Sequence, residues 1–116
     1  MTSLETADLL TAEFPELALN LHAPNMLGSV YRQLDCFAAF TRQALSDGRL
    51  EVLRRCFAVA DSLLRYADRY LSNAINNVYL HGLHLDGSTA DTQLARQLMP
   101  TSLYRAYCHP HTNMLP

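Results

Sequence analysis

Apolar side chains recur every three to four residues through each long segment of this chain, a period that fits helices and does not fit strands. The clearest stretch is residues 69–85. Leu71, Ala74, Ile75, Val78, Tyr79, Gly82 and Leu83 mark one face. Between them stand Asn73, Asn76, Asn77 and His81, polar but uncharged. An amphipathic helix on a protein surface ordinarily puts charged side chains outward. This stretch is therefore either a central helix packed on most sides or a helix whose polar edge is kept for a partner.

The other segments repeat the pattern. Thr2, Ser3, Leu4 and Glu5 fit a capping box, and Leu4, Ala7, Leu10 and Phe14 form the first apolar stripe. Pro15 interrupts the hydrogen-bond ladder. Leu17 and Leu21 face inward from a further short turn or helix over 16–21, and 22–25 is a loop, since Pro24 pushes Ala23 out of the α region. A second helix is predicted over 26–46, with Leu27, Val30, Leu34, Phe37, Thr41, Ala44 and Leu45 inward and Gly48 at its left-handed end. A third is predicted over 49–66, where Glu51 with Arg55 and Asp61 with Arg65 are i, i+4 pairs. Such pairs contribute about 0.2–0.5 kcal/mol each and indicate an exposed face. Asp86-Gly87 is a turn signal after the 69–85 helix. Residues 88–91 open a short fifth helix, and Pro100 stops it and starts a sixth.

These elements predict an all-α, single-domain helical bundle of about five to six helices, three of them long and antiparallel across short connections. The bundle is expected over 1–108, with 109–116 as a poorly ordered tail. At 116 residues the chain buries roughly two thirds of its unfolded surface, enough for a core without metal or disulfide. Hydrophobic residues make up 49% and charged residues 17%, below the ~25% usual for globular proteins. Fewer charges leave more neutral surface, which favours a partner interface or a homodimer.

Charge excludes some functions. The net value is −2, and no basic stripe is present to bind a nucleic-acid backbone. All nine basic residues are Arg, so Schiff-base and phosphate-loop lysines are ruled out. Residues 1–47 hold six acids against two arginines, a net −4, and residues 48–116 hold seven arginines against five acids, a net +2. The acidic half suits a basic partner, and equally suits ordinary solvated helix faces. Cys36, Cys56 and Cys108 are odd in number and lack C-x-x-C spacing, which points to a reducing compartment. No basic leader and no apolar run of about 20 residues is present, so a cytoplasmic protein with no membrane span is expected.

Candidate chemistry is sparse. His81, His84 and Asp86 form H-x-x-H-x-D, and two imidazoles three apart on a helix can share a metal. Zinc wants three or four ligands, so helix-end histidines that suit the dipole are the simpler reading. His109 and His111 beside Cys108 are a second nominal cluster on the tail. No serine has G-x-S-x-G context, and Cys36 and Cys56 lie on apolar stripes. The chain is therefore read as a non-enzyme without a cofactor. Asn73, Asn76 and Asn77 weaken a helix by about 1 kcal/mol in sum, so they either bond to neighbouring elements or form a recognition edge.

Several short motifs carry a resemblance: Phe14-Pro15-Glu16-Leu17, then Asp35-Cys36-Phe37 through Arg42, then Arg55-Cys56-Phe57 with Asp61, then Ser72 through Leu80. Leu98-Met99-Pro100 with Leu103 and Tyr107 completes them. The order resembles a family of small, mostly uncharacterised bacterial helical proteins often encoded at toxin–immunity loci. The resemblance implies an immunity-type protein that binds and neutralises a cognate toxin, and it brings no catalytic residues. Glu13, Glu16 and Asp35, with Asn76 and Asn77, are the expected contact surface. A homodimeric scaffold or regulatory module is the alternative, and a metal-dependent enzyme using His81, His84 and Asp86 is a third reading.

Overall fold

Thr2 starts the first helix as its sequence predicts. In the computed structural model, which describes residues 2–85 and 89–108, its hydroxyl accepts from the Glu5 amide at 3.1 Å. The Glu5 carboxylate accepts from the Thr2 amide at 2.9 Å, completing the capping box. Helix α1 then runs Ser3–Glu13. Leu4 leaves the predicted stripe and is 51% exposed. Thr6 is buried instead, because its hydroxyl donates to the Thr2 carbonyl at 3.0 Å. Pro15 ends α1, and a 3₁₀ turn (Pro15–Leu17) leads into the single turns α2 (Ala18–Leu21) and α3 (Pro24–Leu27).

The second predicted helix splits at its start. Helix α4 spans Val30–Ser46, with Ser29 extended and its hydroxyl accepting from the Arg32 amide at 3.2 Å. Met26 and Leu27 belong to α3. The break is held by Gln33, whose buried amide donates to the Met26 and Leu27 carbonyls at 3.1 and 3.0 Å. These carbonyls at the end of α3 therefore find a partner on α4. At the other end Gly48 has φ +71°, and the Gly48 and Arg49 amides donate to Leu45 and Ala44 carbonyls at 3.1 and 2.9 Å. That is a Schellman motif, and glycine alone enters the left-handed region without a Cβ penalty.

Helix α5 runs Leu50–Arg65. A short turn follows, and Asp68 caps the next helix by accepting from the Leu71 amide at 2.8 Å. That helix is α6 (Arg69–Ala74), continued by a π-helical turn (Ile75–Leu80) that no sequence period predicts. Beyond residue 88, Thr89 caps α7 (Ala90–Leu98) through the Thr92 amide at 3.3 Å, and Ser88 lies outside the described residues. Helix α8 (Thr101–Cys108) begins one residue after Pro100, whose carbonyl accepts from Tyr104 at 2.9 Å. The described residues thus form eight α-helices, two more than the sequence suggests, and the fold is all-α in a single domain. Of the two, α2 falls where a short turn or helix is expected, whereas α3 replaces the second half of the loop expected over 22–25: Ala23 is extended as predicted, but Pro24 itself opens the helical turn.

The middle of the fold is α4 rather than the helix of residues 69–85. It packs against α1, α3, α5, α6, the π turn and α7. An aromatic column runs through it. Phe14 lies 5.7 Å from Phe37 and 5.1 Å from Phe40, and Phe37 stacks on Tyr79 at 4.7 Å. Each such pair adds about 0.5–1.5 kcal/mol beyond area burial. Tyr31 meets Tyr70 and Phe37 meets Tyr79, so α4 and the α6–π helix run in the same direction. The reversals on either side of α5 produce that arrangement. Gly82 marks the closest approach, since a Cβ there would stand 3.3 Å from the Ala38 Cβ.

Candidate functional site

All six acids of residues 1–47 lie exposed on the surface. Four are engaged locally. Glu5 closes the capping box, and its carboxyl is held below the usual range chiefly by the Thr2 amide. Asp8 meets His22 Nε2 at 3.1 Å, and Asp47 accepts from the Gln43 amide at 3.0 Å. Glu13 faces Arg55 at 3.6 Å, while the same guanidinium donates to the Glu13 carbonyl at 2.8 Å and covers the Phe14 ring at 5.4 Å. Arg55 is thus drawn to α1 rather than to its predicted partner Glu51, which pairs with Arg54 at 3.6 Å. Among the described residues Glu16 and Asp35 have no ion pair.

The expected contact residues divide into two groups. Glu13 and Glu16 flank the Phe14-Pro15 corner, whereas Asp35 lies on α4 and Asn77 on the π turn beside it. Among the described residues no hydrogen bond or ion pair joins the groups. Asn76 corrects the expectation. It is only 6% exposed, and its buried amide oxygen has no partner among the described residues. It sits on the inner side of the π turn and is not available for surface contact. The two asparagines differ because a one-residue step on a helix turns the side chain by about 100°.

The histidine cluster stays incomplete. His81 and His84 are exposed, with ring centroids 6.5 Å apart in an edge arrangement. His84 follows the helix end in a left-handed conformation, φ +53°, a position where histidine is enriched among non-glycine residues. Asp86, His109 and His111 lie outside the described residues. Among the described residues no group of three or more metal-ligating side chains gathers.

Sequence reasoning missed two buried polar arrangements. Thr41 Oγ1 lies 2.9 Å from the Phe37 carbonyl and 3.0 Å from the Tyr79 hydroxyl. A carbonyl only accepts, so Thr41 donates to Phe37 and Tyr79 donates to Thr41. Burial pushes the Tyr79 hydroxyl well up and the neighbouring Cys56 thiol up to about 11. Neither serves as a nucleophile near neutral pH. The second arrangement corrects the reading of Asp61 as an exposed pair. Asp61 is buried and accepts from Arg65 at 2.8 Å and from the Ser102 hydroxyl at 2.7 Å, so α8 docks on α5 through it. A later helix covers the carboxylate, and an i, i+4 spacing cannot foretell that cover.

A shallow groove of about 450 Å³ lies between α7 and α8, with Met99 and Tyr104 against Gln93, Gln97 and Thr101. Arg96, also on its wall, donates to the Leu85 carbonyl and ties α7 to the end of the preceding helix. No helix among the described residues is long and apolar enough to cross a membrane.

The motifs quoted from Phe14 to Tyr107 fall within one family match. A domain of unknown function, DUF7674, matches residues 7–114. The chain belongs to the DUF7674 family. The match takes in every helix from α2 to α8 and most of α1, so this DUF7674 domain includes the whole aromatic column. No curated protein and no solved structure matches the chain.

Proposed function

We propose that this DUF7674 domain is a binding protein of the immunity type, which neutralises a cognate bacterial toxin by protein contact and catalyses no reaction itself. The observation that supports it most is the acidic N-terminal surface. Six acids and two arginines lie in residues 1–47, and all six acids face solvent. A surface with a net negative charge attracts a basic partner from a distance and speeds association. Glu13, Glu16 and Asp35 are the proposed contacts. Glu16 and Asp35 lead, since Arg55 already faces Glu13. A cytoplasmic setting fits the three unpaired thiols.

Co-expression with the product of the neighbouring gene tests the reading directly. A stable complex and rescue of growth are expected. Glu16→Arg with Asp35→Arg should slow association about tenfold at low salt and leave the fold intact. The absence of both a complex and growth rescue would overturn the proposal.

A further inference from the structure

The inner face of the α6–π helix carries a slip of one residue. From Leu71 to Leu83 its buried apolar side chains are Leu71, Ala74, Ile75, Tyr79, Leu80 and Leu83. Counted from Leu71, the others stand three, four, eight, nine and twelve positions on. One face of an α-helix recurs at three, four, seven, eight and eleven. Continuing the first phase would bury Val78 and Gly82, and both are only half-buried. The spacing is thus regular up to Ile75 and regular again from Tyr79, with one residue too many between them. The π turn (Ile75–Leu80) lies at that place. Its hydrogen bonds close over five residues rather than four, so it takes up one extra residue without turning the following face away. Both halves of the helix therefore meet α4, and Tyr79 stacks on Phe37 at 4.7 Å.

The extra residue has a consequence for Asn76. In an α-helix, a side chain five positions after Leu71 points about 140° away from it, outside the apolar stripe. Asn76 is buried instead, and its amide oxygen has no partner among the described residues. A buried acceptor without a donor lowers stability, and a π turn is a rare conformation. Taking one residue out between Ile75 and Tyr79 removes both features together. Ala74, Ile75, Tyr79, Leu80 and Leu83 would then follow Leu71 at three, four, seven, eight and eleven positions, one unbroken α-helical stripe, with Asn76 off it. We propose that the π turn is a register device: a one-residue insertion, held by packing on α4, that keeps the Asn76 amide inside the protein and that the fold does not need.

Deletion of Asn77, an exposed residue of the π turn, tests the proposal by calorimetry and NMR on the full chain. The shortened protein should fold and keep the contact between the Phe37 and Tyr79 rings, read as a nuclear Overhauser effect. It should melt no lower than the wild type, with a gain of roughly 4 °C from release of the Asn76 oxygen to water. Deletion of Arg54, exposed in the regular helix α5, is the contrast. There the loss of one residue turns every later side chain by about 100° and pulls the face of Cys56, Phe57 and Leu63 out of register. That variant should melt roughly 15 °C or more below the wild type. An Asn77 deletion that fails to fold, melts below the wild type or loses the ring contact would overturn the proposal. So would an Arg54 deletion tolerated as well as that of Asn77, since the helices would then absorb a missing residue anywhere.

Discussion

Thr41 and Tyr79 show how one hydroxyl decides whether another can be buried. Thr41→Val leaves the Tyr79 hydroxyl without an acceptor and should cost about 1–3 kcal/mol. Tyr79→Phe removes that donor and leaves Thr41 bonded to Phe37, so it should cost under about 1.5 kcal/mol. The double variant should cost less than the sum, read from denaturant midpoints. His22 makes a second residue-scale prediction. Its two ring nitrogens face the Ala18 carbonyl and the Asp8 carboxylate, both at 3.1 Å. Only the imidazolium donates from both, and the Asp8 bond, then the Ala18 bond, raise the pKa. A raised folded-state pKa gives stability that is full below the unfolded value near ~6.5 and fades as pH rises through the folded value. The melting temperature should therefore fall across neutral pH relative to Asp8→Asn. A His22 titration unchanged by Asp8→Asn would refute the clasp.

At the scale of elements, caps set most boundaries and buried polar groups set the docking. Ser102→Ala should cost about 1 kcal/mol and Asp61→Ala about 1–2 kcal/mol, since Asp61 joins α5 to α8. Hydrogen exchange should show the loss first in α8, with α4 and α5 still protected. If protection falls evenly over all helices, the Asp61 contact is not the local tie. The helix start at Thr2 and the stop at Gly48 were legible, because caps act on backbone groups within a few residues; the Asp68 cap was not, since a continuous kinked helix fits the same residues. The start of α4 was less so. Gln33 reaches back six and seven residues to the α3 carbonyls, and a pattern of apolar spacing carries no sign of that bond. The π turn was also hidden. Its three asparagines and Gly82 hint at an irregular helix, yet the widened turn places Tyr79 flat on Phe37 only because α4 is there.

For the molecule as a whole, the three thiols report on cooperativity. Cys108 is exposed, Cys36 is half-buried and Cys56 is buried in the core shared by α4, α5 and the π turn. A thiol reagent at mildly alkaline pH should modify Cys108 at once and Cys36 more slowly. Cys56 should react only at the rate of global unfolding. Rapid labelling of Cys56 in native buffer would mean that the core opens locally. The candidate surfaces belong to this scale as well. The acidic half could be counted from the chain, and all its acids do lie outside. The separation of Glu13 and Glu16 from Asp35 and Asn77 could not, because different packed helices carry them.

The sequence by itself determined an all-helical chain, the caps at its first helix and at Gly48, its apolar faces and the uneven distribution of its charge. These follow from period, propensity and composition, which act locally along the chain. Only the tertiary structure decided which helix is central, which polar residues are covered and which part of the 69–85 stretch faces water. Asn76 went inside and Asn77 outside because α4 and α8 pack on one side of the helix only, and that depends on contacts between residues distant in the chain. The stretch first read as either a packed core helix or a polar edge is both: one side lies against α4, and the other carries Tyr70, Asn77 and His81 into solvent.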